Sequence, residues 1–128
     1  MGLFGKVFSG EKNQSKVEWT ALQSIEDLMA AIKESHKQPV VLFKHSTRCS
    51  ISSSALNRLE RSWNNDITNA KPYFLDLIKH RDVSAEIANQ LGVTHQSPQM
   101  IVVKEGKAVF DASHMEISFE DVKVNAPS

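Results

Sequence analysis

The only cysteine of the chain, Cys49, stands at the end of Val40-Val41-Leu42-Phe43-Lys44-His45-Ser46-Thr47-Arg48, an apolar β-type run that gives way to polar residues. Beyond it Ile51, Ala55, Leu56, Leu59 and Trp63 recur at helical spacing. Cys49 therefore falls where a buried strand hands over to the first turn of an amphipathic helix. Unpaired backbone N–H groups and the positive end of the helix dipole favour an anion at such a place, so the thiolate is expected to form more readily than in a free cysteine. His45 and Arg48 would add to that effect. The alternative is a small buried core residue, the commonest fate of a free cysteine, but the polar residues on both sides speak for a nucleophile.

Composition bounds what else the chain can be. Its 128 residues, 41% of them hydrophobic, suffice for one domain with a single proper core. Fifteen basic and fifteen acidic residues cancel, so overall charge points neither to nucleic acid nor to an anionic membrane as a partner. One cysteine excludes an internal disulfide framework and a multi-cysteine zinc site, and fits a reducing compartment, with the cytoplasm as the expected location. The five histidines, His36, His45, His80, His95 and His114, show no paired spacing on one helix face, so no metal site is expected. No stretch is long and apolar enough to span a membrane.

The elements that must position Cys49 can be read in order. Residues 1–16 stand apart as an N-terminal segment, either mobile or packed as one apolar turn through Leu3, Phe4, Val7 and Phe8. The segment lacks the pattern of a signal peptide, and Lys6 stands where a myristoylation pattern needs Ser or Thr. The domain then runs over 17–128. Val17 to Leu22 reads as a short strand. Ser24 caps a helix with Asp27 three positions on, and Ile25, Leu28, Met29 and Ile32 form its apolar stripe. The strand at 40–45 is apolar almost throughout, as one covered on both faces should be. Pro72 to Ile78 makes a third strand. Asp82 is the expected cap of a helix through Val83, Ile87 and Leu91, closed by Gly92. Gln99 to Val103 and Ala108 to Phe110 flank Glu105-Gly106, a hairpin signal. A last helix starts at Ser118, with Phe119 and Val122 inward. The order β-α-β-α-β-α-β-β-α implies an α/β fold, a mixed sheet with helices on both faces.

This order, the cysteine at a strand-to-helix turn, and Gly92-Val93-Thr94-His95-Gln96-Ser97-Pro98 leading into Met100-Ile101-Val102-Val103 resemble a thioredoxin-like fold. More narrowly, Lys44-His45-Ser46-Thr47-Arg48-Cys49-Ser50-Ile51-Ser52, with Ala112-Ser113-His114 before the last helix, resembles the monothiol bacilliredoxins of the YtxJ (BrxC) type over about residues 17–125. One departure is that Ser50 stands where this family usually has proline.

The resemblance implies a thiol-disulfide oxidoreductase with Cys49 as catalytic nucleophile. A dithiol oxidoreductase keeps its resolving cysteine three positions on, where this chain has Ser52, so Cys49 would take a small thiol from a mixed disulfide and wait for a second thiol to release it. The implied small thiol is bacillithiol, acting as co-substrate with no bound cofactor. The implied partners are bacillithiolated proteins and a low-molecular-weight thiol, met by a monomer. Lys44, Arg48 and Arg81 are candidates to meet the carboxylates of bacillithiol, with plain surface charge as the alternative. Pro98 is implied to be cis, setting the backbone of Ser97 opposite Cys49 to pair with an extended substrate. Ser52, His45 and His114 complete the expected substrate-binding set, each histidine having a plain capping or surface role as its alternative. Two other functions fit the same residues. One is an iron–sulfur carrier of the monothiol glutaredoxin kind, against which Ser50-Ile51 replaces the usual Gly-Phe pair. The other is a thioredoxin-fold binding module without turnover.

Overall fold

A computed structural model describes residues 17–128; the expectations for residues 1–16 lie outside the described residues. Among the described residues five strands and four helices follow in the expected order: β1 (Thr20–Ala21), α1 (Ile25–Glu34), β2 (Val40–His45), α2 (Ser50–Ser62), β3 (Lys71–Asp76), α3 (Arg81–Leu91), β4 (Gln99–Lys104), β5 (Lys107–Ser113) and α4 (Phe119–Asn125), with a 3-10 turn at His114–Glu116. The strands form one sheet in the order β1-β3-β2-β4-β5. β1 and β2 each run parallel to β3, while β4 is antiparallel to both β2 and β5. This is the mixed sheet of the thioredoxin fold.

Alternation along β2 divides the core. Val41 and Phe43 face α2 and α4, packing with Ala55, Leu59, Trp63, Phe119 and Val122. Val40 and Leu42 face α1 and α3, packing with Leu28, Ala31, Val83 and Ile87. A central strand covered on both faces has to read as a continuous apolar run, which is why 40–43 shows no polar alternation.

Local signals set several boundaries. The Asp27 N–H donates to Ser24 Oγ at 3.1 Å, capping α1, and the Asp27 carboxylate accepts from the Gln23 N–H at 2.9 Å. Gly92 ends α3 at φ +66, where a side chain would be strained. Glu105 and Gly106 both have positive φ, as the two-residue turn between β4 and β5 requires.

Three expectations are corrected. β1 is two residues long, although the Leu22 N–H still donates to Phe74 O at 2.9 Å. The cap of α3 is His80, and Asp82 lies inside the first turn. The entry is set upstream: the Asp76 carboxylate accepts from the N–H groups of Ile78 and Lys79, and the Asp76 carbonyl accepts from the His80 N–H. β5 runs on to Ser113, its exposed Lys107, Val109 and Asp111 alternating with partly or fully covered residues as on an edge strand. That extra length places His114 immediately at the strand end.

Candidate functional site

Sheet register gathers the site at one edge. Lys44 on β2 pairs with Gln99 on β4, and Gln99 pairs with Ser113 on β5. The end of β2 that leads to Cys49, the loop that leads into β4, and the end of β5 that leads to His114 therefore share one end of the sheet. Residues 44, 99 and 113, far apart in sequence, come to one end of the sheet because two antiparallel pairings bring their strand ends together.

Cys49 is half-buried and is the N-cap residue of α2, with extended φ −121 and ψ 118. Its N–H donates to Ser46 O at 3.2 Å, and its carbonyl accepts from the N–H groups of Ser52 and Ser53 at 3.1 and 3.2 Å. The thiol itself makes no capping hydrogen bond. The backbone thus holds the residue in place while the sulfur stays uncommitted at the positive end of a helix of 13 residues.

Ser52 is fully buried. Its Oγ accepts from the Ser46 N–H at 3.0 Å and lies 2.7 Å from His45 Nδ1. With two lone pairs and one proton, the Ser52 hydroxyl serves both partners at once, and its 2.7 Å contact joins the His45 ring to the Ser46 backbone. The expected contact of Ser52 with substrate is corrected accordingly: its hydroxyl points inward and ties the 46–49 turn to β2.

His45 is 8% exposed and lies against the rings of Phe43 and Phe74, with centroids 6.3 and 5.4 Å away. Burial lowers its pKa, opposed in part by the Asp76 carboxylate, so the imidazole is held neutral. A neutral ring brings no positive charge to Cys49, which corrects the expectation that His45 adds to the pull on the thiolate. The neutral form contributes stability that is fully present above the unfolded-state value of 6.5 and is lost as pH falls through the lower folded-state value. The urea midpoint should therefore fall as pH drops from 6.5 toward 5, and His45→Phe should remove part of that slope. Identical slopes in the two proteins would overturn the buried neutral assignment.

The Ser97–Pro98 peptide is cis, as the resemblance implied, with Pro98 buried and Ser97 half-buried. The Pro98 carbonyl accepts from the His114 N–H at 3.3 Å. His114 itself has φ +55 and is half-buried. Arg58, on α2, fixes this turn: its guanidinium donates to His114 O at 3.3 Å and to Ile117 O at 3.0 Å. Composition gave no sign of that role, since an arginine on a helix ordinarily reads as a surface charge.

Of the three cations expected to meet substrate, Arg48 and Arg81 are exposed, the first next to Cys49 and the second opening α3. Lys44 is not available. It points to the face opposite α2 and is fully buried, with Nζ donating to Gln99 Oε1 at 3.0 Å and lying 2.8 Å from His95 Nδ1. Burial lowers its pKa to about 8, and the pKa of His95 is lowered by its own burial and then by Lys44. The apolar pattern around position 44 carried a usable signal, because a lysine in a strand covered on both faces has to be buried. Neither Gln99 nor His95 could be found as its partner from sequence spacing.

The family model described as monothiol bacilliredoxin BrxC matches residues 20–122. Among solved structures, the chain is similar to a candidate oxidoreductase with a thioredoxin fold, at 29% identity and TM-score 0.69, covering 79% of this chain and 87% of that one. It is also similar in fold to the Malassezia sympodialis thioredoxin, at 12% identity and TM-score 0.69 over 91% and 96% of the two chains. The Fasciola hepatica thioredoxin follows at 18% identity and TM-score 0.66, over 84% and 98%.

Proposed function

Because the chain belongs to the monothiol bacilliredoxin BrxC family, we propose that it removes bacillithiol from protein mixed disulfides through Cys49. The observation that carries this reading is the N-cap placement of a single half-buried cysteine with an uncommitted sulfur, followed three residues later by a buried serine. In the first step the Cys49 thiolate attacks the bacillithiol sulfur of protein–S–S–R. The Cys49–S–S–R bond forms, the original disulfide breaks, and the protein sulfur leaves as thiolate. In the second step an external thiolate attacks Cys49–S–S–R, releases R as a disulfide with itself, and returns the Cys49 thiolate. With one cysteine in the chain, that second thiol comes from outside.

The exposed Arg48 would meet the carboxylates of the malate group, and the Ser97 backbone with the His114 turn would border the incoming protein strand. The protein would act as a monomer in a reducing cytoplasm. Among the described residues no helix is long and apolar enough to cross a membrane.

Mixing the reduced protein with a bacillithiolated protein and following both by intact mass tests the proposal. The expected result is loss of the adduct from the substrate and its appearance, one per chain, on Cys49. Transfer of glutathione but not bacillithiol would overturn the assigned thiol, and transfer of neither would overturn the activity.

A further inference from the structure

Lys44 is a buried ammonium that the thiol-transfer chemistry does not use. Among the described residues it forms no ion pair with a carboxylate. A charge in such a place is costly unless it is hydrogen-bonded, and an apolar residue would ordinarily serve the core better. Its partners are all on or beside one loop. Gln99, 1% exposed, accepts from Lys44 through Oε1, and the same oxygen accepts from the Gln96 N–H at 3.3 Å. Through Nε2, Gln99 donates to Thr94 O at 3.0 Å. His95 meets Lys44 through Nδ1, and Ser84 Oγ of α3 lies 3.5 Å from the same nitrogen. Both ends of the segment 94–99, which contains Ser97 and Pro98, are therefore tied to one ammonium on the strand that leads to Cys49.

We propose that Lys44 is a positioning residue that holds the 94–98 loop, and with it the Ser97 backbone, in the place where an extended protein substrate pairs. This rests on the thiol-transfer reading of Cys49. A small disulfide needs only the sulfur, whereas a protein mixed disulfide also needs the loop edge, so losing Lys44 affects the two substrates unequally.

The test compares Lys44→Met, Gln99→Met and the double variant with wild type, all below their unfolding temperatures. With Lys44→Met we expect transfer from a protein mixed disulfide to slow about tenfold and reaction with a small disulfide about twofold or less. Amide exchange at Gln96 should rise at least about tenfold, while amides in the middle of α2 are unchanged. The double variant removes the ammonium and its Gln99 acceptor together, so neither is left buried facing an apolar partner, and it should be more stable than the sum of the two single losses without recovering the protein rate. If Lys44→Met fails to fold, the double variant measured against Gln99→Met carries the test through the two substrate rates, because those two proteins differ only at residue 44. Equal losses on both substrates, or unchanged exchange at Gln96, would overturn the positioning role. The exchange measurement needs no turnover: a wild type inactive on protein substrates with Gln96 exchange responding as expected would refute the thiol-transfer reading and leave the loop-holding role of Lys44 standing.

Discussion

Cys49→Ser is expected to abolish thiol transfer and at the same time to make the protein more stable. The loss of activity follows from chemistry: a serine hydroxyl is almost wholly protonated near neutral pH, cannot form a disulfide, and no other sulfur nucleophile of the cysteine kind exists in the chain. Transfer should fall to the uncatalysed exchange rate. The gain follows from geometry. Cys49 occupies the N-cap of α2 with extended backbone and no side-chain hydrogen bond to the first turn. A serine hydroxyl in that conformation accepts from the N–H of the second or third helical residue, and such a cap is worth about 1 kcal/mol over a residue that does not cap. Urea unfolding should show a higher midpoint with unchanged slope, and intact mass should show no adduct from any disulfide. A destabilised variant would mean the thiol is packed as a structural residue, and residual transfer would place the nucleophile elsewhere.

Ser52 is where the second large effect is expected. Ser52→Ala leaves the Ser46 N–H and His45 Nδ1, now bonded to one buried hydroxyl, without partners. At about 1–3 kcal/mol for each buried polar group left unsatisfied, the variant should lose roughly 2–6 kcal/mol, a large part of the stability of a small domain. Ser52→Cys retains a weaker hydrogen-bonding group and should lose less. It also places a second thiol at the third residue of the helix, one turn from Cys49, within the Cα separation that a disulfide spans. Under an oxidant that caps wild-type Cys49 with small thiols, this variant should instead expel the small thiol and close an internal disulfide, seen as an uncapped chain two hydrogens lighter. A variant that stays capped would show that the buried side chain of residue 52 cannot turn toward the sulfur.

These two predictions draw on different depths of the sequence. That Cys49 begins a helix was legible because the signals are local: an apolar run, a change to polar residues, then an apolar period of a helical turn. The same holds for the Ser24 cap, the Gly92 end of α3 and the Glu105-Gly106 turn, each a rule acting within a few residues. The order of those elements was enough to imply an α/β mixed sheet with helices on both faces, since crossover handedness and sheet adjacency leave few alternatives, and the cysteine at its turn with Ser97-Pro98 carried the resemblance to a thioredoxin-like fold.

What the partners of each site residue would be was not legible. Lys44 read as a cation for substrate carboxylates, yet strand alternation turns it away from α2, and its partners His95 and Gln99 lie 51 and 55 residues further on. His45 read as a residue that would favour the thiolate, yet burial against Phe74 keeps it neutral and its Nδ1 faces Ser52. Arg58 drew no expectation from the sequence, yet it holds the carbonyls of His114 and Ile117. Chain-local chemistry determined which segments become strands, helices and turns, and where in them the one thiol falls. Strand register decided which side chains meet across the sheet and which are cut off from water, because a shift of one residue would send each to the opposite face and give it a different charge state and a different partner.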